Sequence, residues 1–79
     1  PPEQRFIAEE MHARLTDAIA ALSHEDREVV VLHIFAEFKF REMAELLEAP
    51  MGTVTSRYRR ALEKLSQTLK EFDHASKRN

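Results

Sequence analysis

The chain has no cysteine, no tryptophan, one glycine and three prolines in 79 residues. Without cysteine there is neither a disulfide nor a thiolate metal site. A chain this short with no cross-link has to rest on a compact core and strong helix signals. One glycine leaves little chemistry for hairpin turns, which argues against an all-β fold. No apolar run approaches the roughly 18–20 residues that cross a bilayer, so no membrane partner is expected. Hydrophobic residues at 43% and charged residues at 33% exclude a disordered tail.

Catalytic and metal-binding signatures are equally scarce. His12, His24, His33 and His74 show no ligand spacing of the H-x-x-x-H kind, and His33 lies within an apolar run. Ser23 and His24 beside Asp26 sit at one helix start, where capping accounts for them better than a nucleophilic triad does. No glycine-rich loop cradles a nucleotide and no carboxylate pair marks a cleft. Neither enzyme activity nor a cofactor or metal is expected.

What the chain does have is a divided charge. Residues 1–49 carry five Lys/Arg and eleven Asp/Glu, a net of −6. Residues 50–79 carry seven Lys/Arg and three Asp/Glu, a net of +4, within a chain of net −2. A basic end on an acidic domain points to an anionic partner for one face.

Hydrophobic spacing predicts four helices, at about 3–22, 24–37, 40–48 and 51–72, in a single domain over residues 1–79. In the first, Ile7, Met11, Leu15, Ala18, Ile19 and Leu22 recur on one helical face. Ser23 is a good N-cap for the second, with Asp26 at the capping-box position and Glu25 and Glu28 beside it. The run VVVLHIF at 29–35 is rich in β-branched residues, but no second strand-like segment exists to pair with it, so it reads as a buried helix. Phe40, Met43, Ala44 and Leu47 place a short third helix, which Pro50 stops. Met51, Val54, Tyr58, Ala61, Leu62, Leu65, Leu69 and Phe72 carry the fourth, and the polar tail DHASKRN is expected to fray.

On a helical wheel, Val54, Tyr58, Ala61, Leu65 and Phe72 face the core. Gly52, Ser56, Arg59, Arg60 and Glu63 lie opposite, flanked by Thr53, Thr55, Arg57 and Lys64. A short helix, a turn of about three residues and a second helix with an arginine-bearing outer face form a helix-turn-helix, here over residues 40–65. In that motif the second helix enters the DNA major groove. Gly52 lets the helix start approach a sugar-phosphate backbone, and first-turn N–H groups suit phosphate. Thr and Ser hydroxyls bond bases or phosphates, and Arg59 and Arg60 match the O6/N7 edge of guanine. With Arg60 turned outward, Arg60→Ala is expected to leave folding intact. The fold expected is all-α, a small four-helix domain of the winged-helix-like/HTH DNA-binding superfold.

Residues 22–65, LSHEDREVVVLHIFAEFKFREMAELLEAPMGTVTSRYRRALEKL, resemble region four of bacterial sigma factors, most closely the extracytoplasmic-function (ECF) class. The Leu-Pro-x-x-x-Arg-Glu-Val opening of that family is similar to Leu22–Val29. Its Ser-Tyr-x-Glu-Ile-Ala-x-x-Leu helix is similar to Lys39–Leu47. Its Pro-Val-Gly-Thr-Val-Lys-Ser-Arg-x-x-Arg-Ala recognition helix is similar to Pro50–Ala61. The resemblance implies binding of the promoter −35 element within RNA polymerase holoenzyme, in the bacterial cytoplasm. Thr55, Ser56, Arg59 and Arg60 would then read or touch DNA, while Thr53 and Arg57 hold phosphates and Gly52 and Lys64 complete the interface. The resemblance also implies contact with the polymerase β-flap and, for many members, an anti-sigma factor. Phe35, Phe38 and Phe40 are the candidates for such a partner surface, with core packing as the default. Because such a factor also needs a −10-binding domain, the chain is expected to be a fragment or to have lost that part.

Several residues depart from the family pattern. Ser23 replaces Pro, Lys39 replaces the Ser cap of the third helix, and Thr55 replaces Lys. Glu48 stands where the turn glycine is usual, and a non-glycine residue at positive φ is strained. Glu63 brings a negative charge to the outer face. A LuxR-type output domain shares much of the same skeleton, and a helical module that binds only protein is the alternative from another class.

Overall fold

The computed structural model describes residues 2–76. Among them four α-helices occur and no strand: α1 (Pro2–Ala21), α2 (His24–Val30), α3 (Phe40–Leu47) and α4 (Met51–Ser76). The all-α expectation holds. α4 runs to Ser76, four residues past its expected end and into the tail DHASKRN expected to fray; the last three residues of that tail, 77–79, lie outside the described residues.

Two small cores hang on α4. Leu22, Val30, Ala61 and Leu65 form the first, with Ala18 and Ile19 packed against it, so it joins α1 and α2 to the middle of α4. Val29, Met43 and Val54 form the second, with Leu32, Phe38, Phe40, Ala44, Leu47, Ala49 and Tyr58 around it. Val29 and Val30 therefore feed one core each, which explains why α2 reads as apolar on more than one side. The α4 face follows the wheel: Val54, Ala61, Leu65 and Phe72 are buried. α1 and α4 extend beyond both cores in a body of 47 × 20 × 16 Å, and Phe6 and Ile7 stay exposed at the far end.

The caps follow local chemistry. Asp26 N–H donates to Ser23 Oγ at 3.3 Å, opening α2 as expected. Arg27 Nη1 donates to the Ala20 carbonyl at 3.0 Å, satisfying an orphan acceptor at the end of α1. Lys39 makes no side-chain cap bond, but its N–H donates to Glu42 Oε1 at 2.8 Å, so α3 is held from its third residue instead.

The helix expected over 24–37 departs from α geometry halfway. Val31–Phe35 is a π-helical turn, with Ala36 N–H bonding the Val31 carbonyl at 3.0 Å. β-branched residues hold an α-helix weakly, and the tertiary contacts of His33 and Phe38 decide the path here. His33 Nδ1 donates to the Phe38 carbonyl at 2.8 Å. Its ring stacks on Phe40 at 4.4 Å and meets Tyr58 edge-on at 4.9 Å. His33 is thereby a packing residue.

Glu48 adopts φ 52°, ψ 46°, the left-handed conformation anticipated for a turn that usually takes glycine. Glu37, at φ 59°, is a second such residue that was not anticipated. Left-handed backbone costs a residue with a Cβ about 1–2 kcal/mol, part of which glycine returns as unfolded-chain entropy. Glu48→Gly should therefore raise stability by about 0.5–1 kcal/mol in urea unfolding. A loss of stability would show that the Glu48 side chain contributes more than its backbone costs.

Candidate nucleic-acid interface

α3, the turn Glu48-Ala49-Pro50 and α4 make a helix-turn-helix. The Thr53 and Val54 N–H groups both return to the Pro50 carbonyl, at 3.0 and 3.1 Å, so α4 begins firmly at the turn. Val54 and Tyr58 anchor this half of α4 to the second core, which turns Gly52, Thr55, Ser56 and Arg59 outward as exposed residues.

Gly52 has a helical backbone, and a Cβ built on it would meet nothing within 4 Å. The protein's own packing does not require a glycine there. The Thr55 hydroxyl donates back to the Gly52 carbonyl at 3.1 Å. Arg59 Nη2 reaches Ser56 Oγ only at 3.5 Å, a loose contact that leaves both side chains available. Thr53 is half-buried at the mouth of an open depression that Glu25, Pro50, Ser56, Arg57 and Arg60 also line.

The other three cations of this face are not simply solvated. Arg57 is mostly covered, with Nε 3.6 Å from Glu25 Oε2. Arg60 binds Asp26 side-on: Nε lies 3.2 Å from Oδ1 and 2.9 Å from Oδ2, and Nη2 lies 2.8 Å from Oδ1. Lys64 Nζ lies 3.8 Å from Asp26 Oδ2. The acidic start of α2 therefore faces the basic half of α4. The expectation that Arg60 can be removed without cost to folding is corrected here, because its guanidinium neutralises a carboxylate that is fully buried. The bonds from Arg60 hold the Asp26 carboxyl below the usual carboxylate range against the opposing effect of burial, with Lys64 and Ser23 adding to the same direction. Arg60 is raised in turn.

Asp26 is the residue that sequence reasoning undervalued. Its place at the helix start marks it as a capping residue, yet it precedes Val29 and Val30 by three and four positions, which puts it on the buried face of α2. The three phenylalanines part company. Phe38 and Phe40 are half-buried against the second core, and only Phe35 is left on the surface, beside exposed Val31 and Ile34.

Among the described residues no group of His, Cys, Asp and Glu is arranged to hold a metal ion, and no helix is long and apolar enough to cross a membrane.

Comparison with known proteins agrees with this geometry. The family described as sigma-70, region 4 matches residues 12–65, which takes in the first core, the second core and the helix-turn-helix. The ECF RNA polymerase sigma factor RpoE of Cereibacter sphaeroides is 37% identical over 68 residues, covering 84% of this chain and 38% of that protein. The ECF RNA polymerase sigma factor SigW of Bacillus subtilis is 31% identical over 71 residues, 90% of this chain and 38% of that protein. The RNA polymerase sigma-H factor of Pseudomonas aeruginosa is 29% identical over 68 residues, 86% of this chain and 35% of that protein. The chain thus spans little more than a third of the relatives it matches. With the motif, its outward basic face and the match over residues 12–65 in agreement, the chain belongs to the sigma-70 region 4 family, in the form carried by ECF sigma factors.

Proposed function

We propose that this chain binds double-stranded promoter DNA at the −35 element, through the N-terminal half of α4, as the region-four part of a sigma factor that directs RNA polymerase in transcription initiation. The reading is of a recognition domain without catalysis, acting in the bacterial cytoplasm. The observation that carries it is the outward face of α4, where Gly52, Thr55, Ser56 and Arg59 stand exposed directly after the turn of a helix-turn-helix. Residues at that place reach base edges when the helix lies in the major groove. Arg59 and Arg60 suit guanine, while Thr53, Arg57 and Lys64 suit the phosphates.

RNA polymerase is the protein partner that the relatives' names share. We assign its β-flap, or an anti-sigma factor competing for the same place, to the exposed apolar strip of Val31, Ile34 and Phe35. That strip lies on the π-helical turn and shares no residue with the α4 face assigned to DNA.

Gly52 supplies the test. Helix interiors favour alanine over glycine by about 0.5–1 kcal/mol, and there is open space for the added methyl group. Gly52→Ala should therefore melt at a higher temperature than the wild type, yet bind a duplex selected from a randomised pool at least several-fold more weakly, as read by fluorescence anisotropy. A variant that is both more stable and equally tight in binding would contradict close approach of DNA to this helix start.

A further inference from the structure

Asp26 is the one charged side chain fully buried among the described residues. A buried carboxylate persists only when it is paired and hydrogen-bonded. Its partner here comes from 34 residues later, on the helix face assigned to DNA.

The manner of that pairing matters. A guanidinium carries five N–H groups. Asp26 engages the Nε–H and one hydrogen of Nη2. Both hydrogens of Nη1 and the second hydrogen of Nη2 remain, and one from each nitrogen makes up the end-on fork that fits guanine O6/N7 or a phosphate. The Arg60 side chain is 52% exposed, so its outer part is reachable from solvent. Ser23 Oγ fixes the Asp26 backbone from one side, and Lys64 approaches the second carboxylate oxygen. With one negative and two positive charges, the cluster stays net positive toward an incoming anion.

We infer that Asp26 is a positioning residue for DNA recognition: it grips Arg60 from the side and holds the end-on fork of its guanidinium ready for the duplex. The inference rests on the reading that α4 binds DNA. A loose surface arginine surrenders rotamer freedom when it binds, whereas one already oriented surrenders less. The opposite effect, in which Asp26 merely masks the charge of Arg60, predicts the opposite response to mutation.

The test uses the 79-residue chain, a duplex that the wild type selects from a randomised pool, and a scrambled version of that duplex. Asp26→Asn keeps the shape and removes the charge. It should lower the ratio of selected to scrambled affinity by about tenfold, the worth of one oriented arginine fork. Arg60→Gln should lower the ratio equally, and the double variant should lose no more than either single one. If Asp26→Asn keeps the wild-type ratio, or tightens binding to both duplexes alike, the positioning role is overturned while DNA binding stands. If the wild type binds neither duplex, the DNA reading fails first and this inference falls with it. A measurement on the wild type avoids any loss of folding in the variant. The Arg60 Nε–H resonance should sit at a hydrogen-bonded position in the free protein and stay there when the selected duplex is added. Its return to the position of a free arginine on binding would overturn the inference.

Discussion

Val54→Asp is expected to leave the chain unfolded at room temperature. Val54 is fully buried between Val29 and Met43, in the core that fixes α3 against α4. An unpaired carboxylate there has no partner, and burying it costs more than about 4 kcal/mol. At about 0.05–0.15 kcal/mol per residue, a chain of this length is worth only about 4–12 kcal/mol in total. Far-ultraviolet circular dichroism should show most helical signal lost without denaturant. A wild-type melting curve would mean that the inner and outer faces of α4 have been exchanged.

Arg60→Ala is the second large effect, and its pH dependence distinguishes it from ordinary damage. The substitution takes three hydrogen bonds from a buried carboxylate and leaves it only Lys64 at 3.8 Å among the cations. The melting temperature at neutral pH should fall by at least about 5 °C. In the folded wild type Asp26 titrates below its ordinary value of 3.8. A depressed carboxylate contributes stability that is fully present above the unfolded value and is lost as pH falls through the folded one. The gap between wild type and variant should therefore be widest above about pH 5 and close as the pH drops below about 4. A gap that persists undiminished in acid would show that lost packing, and not the ion pair, is responsible. Because the same arginine is assigned to DNA, binding by this variant has to be measured under conditions where it is shown to be folded.

How much of this was legible beforehand depends on the range of the interaction. The helices and the inner face of α4 come from local periodicity, and Val54, Ala61, Leu65 and Phe72 are buried as the spacing requires. The strained turn at Glu48 was legible only through the resemblance, whose pattern has a glycine there, the residue that left-handed backbone favours. The π-helical turn at Val31–Phe35 was not, since it depends on where His33 and Phe38 meet Phe40 and Tyr58. The pairing of Asp26 with Arg60 was hidden for the same reason: a wheel places a residue on a face but says nothing of the neighbouring helix. Arg60 looked outward from α4 and was outward, yet α2 had already reached it. Core packing, the default reading for Phe38 and Phe40, holds, but sequence alone does not separate them from exposed Phe35, because apolar side chains at a helix junction look alike whether or not the fold covers them.

Salt dependence of duplex binding probes the outward basic face of α4 with least ambiguity. Neutralising phosphates releases counterions, and log K falls with log salt at about −0.9 per phosphate contact. Arg57 and Lys64, the cations assigned to phosphates, provide two such contacts. Anisotropy titrations of the selected duplex from about 50 to about 200 mM salt should give a slope of roughly −2, reduced by about one unit in Lys64→Ala. A flat salt response, or a slope that Lys64→Ala leaves untouched, would contradict the placement of DNA against this helix.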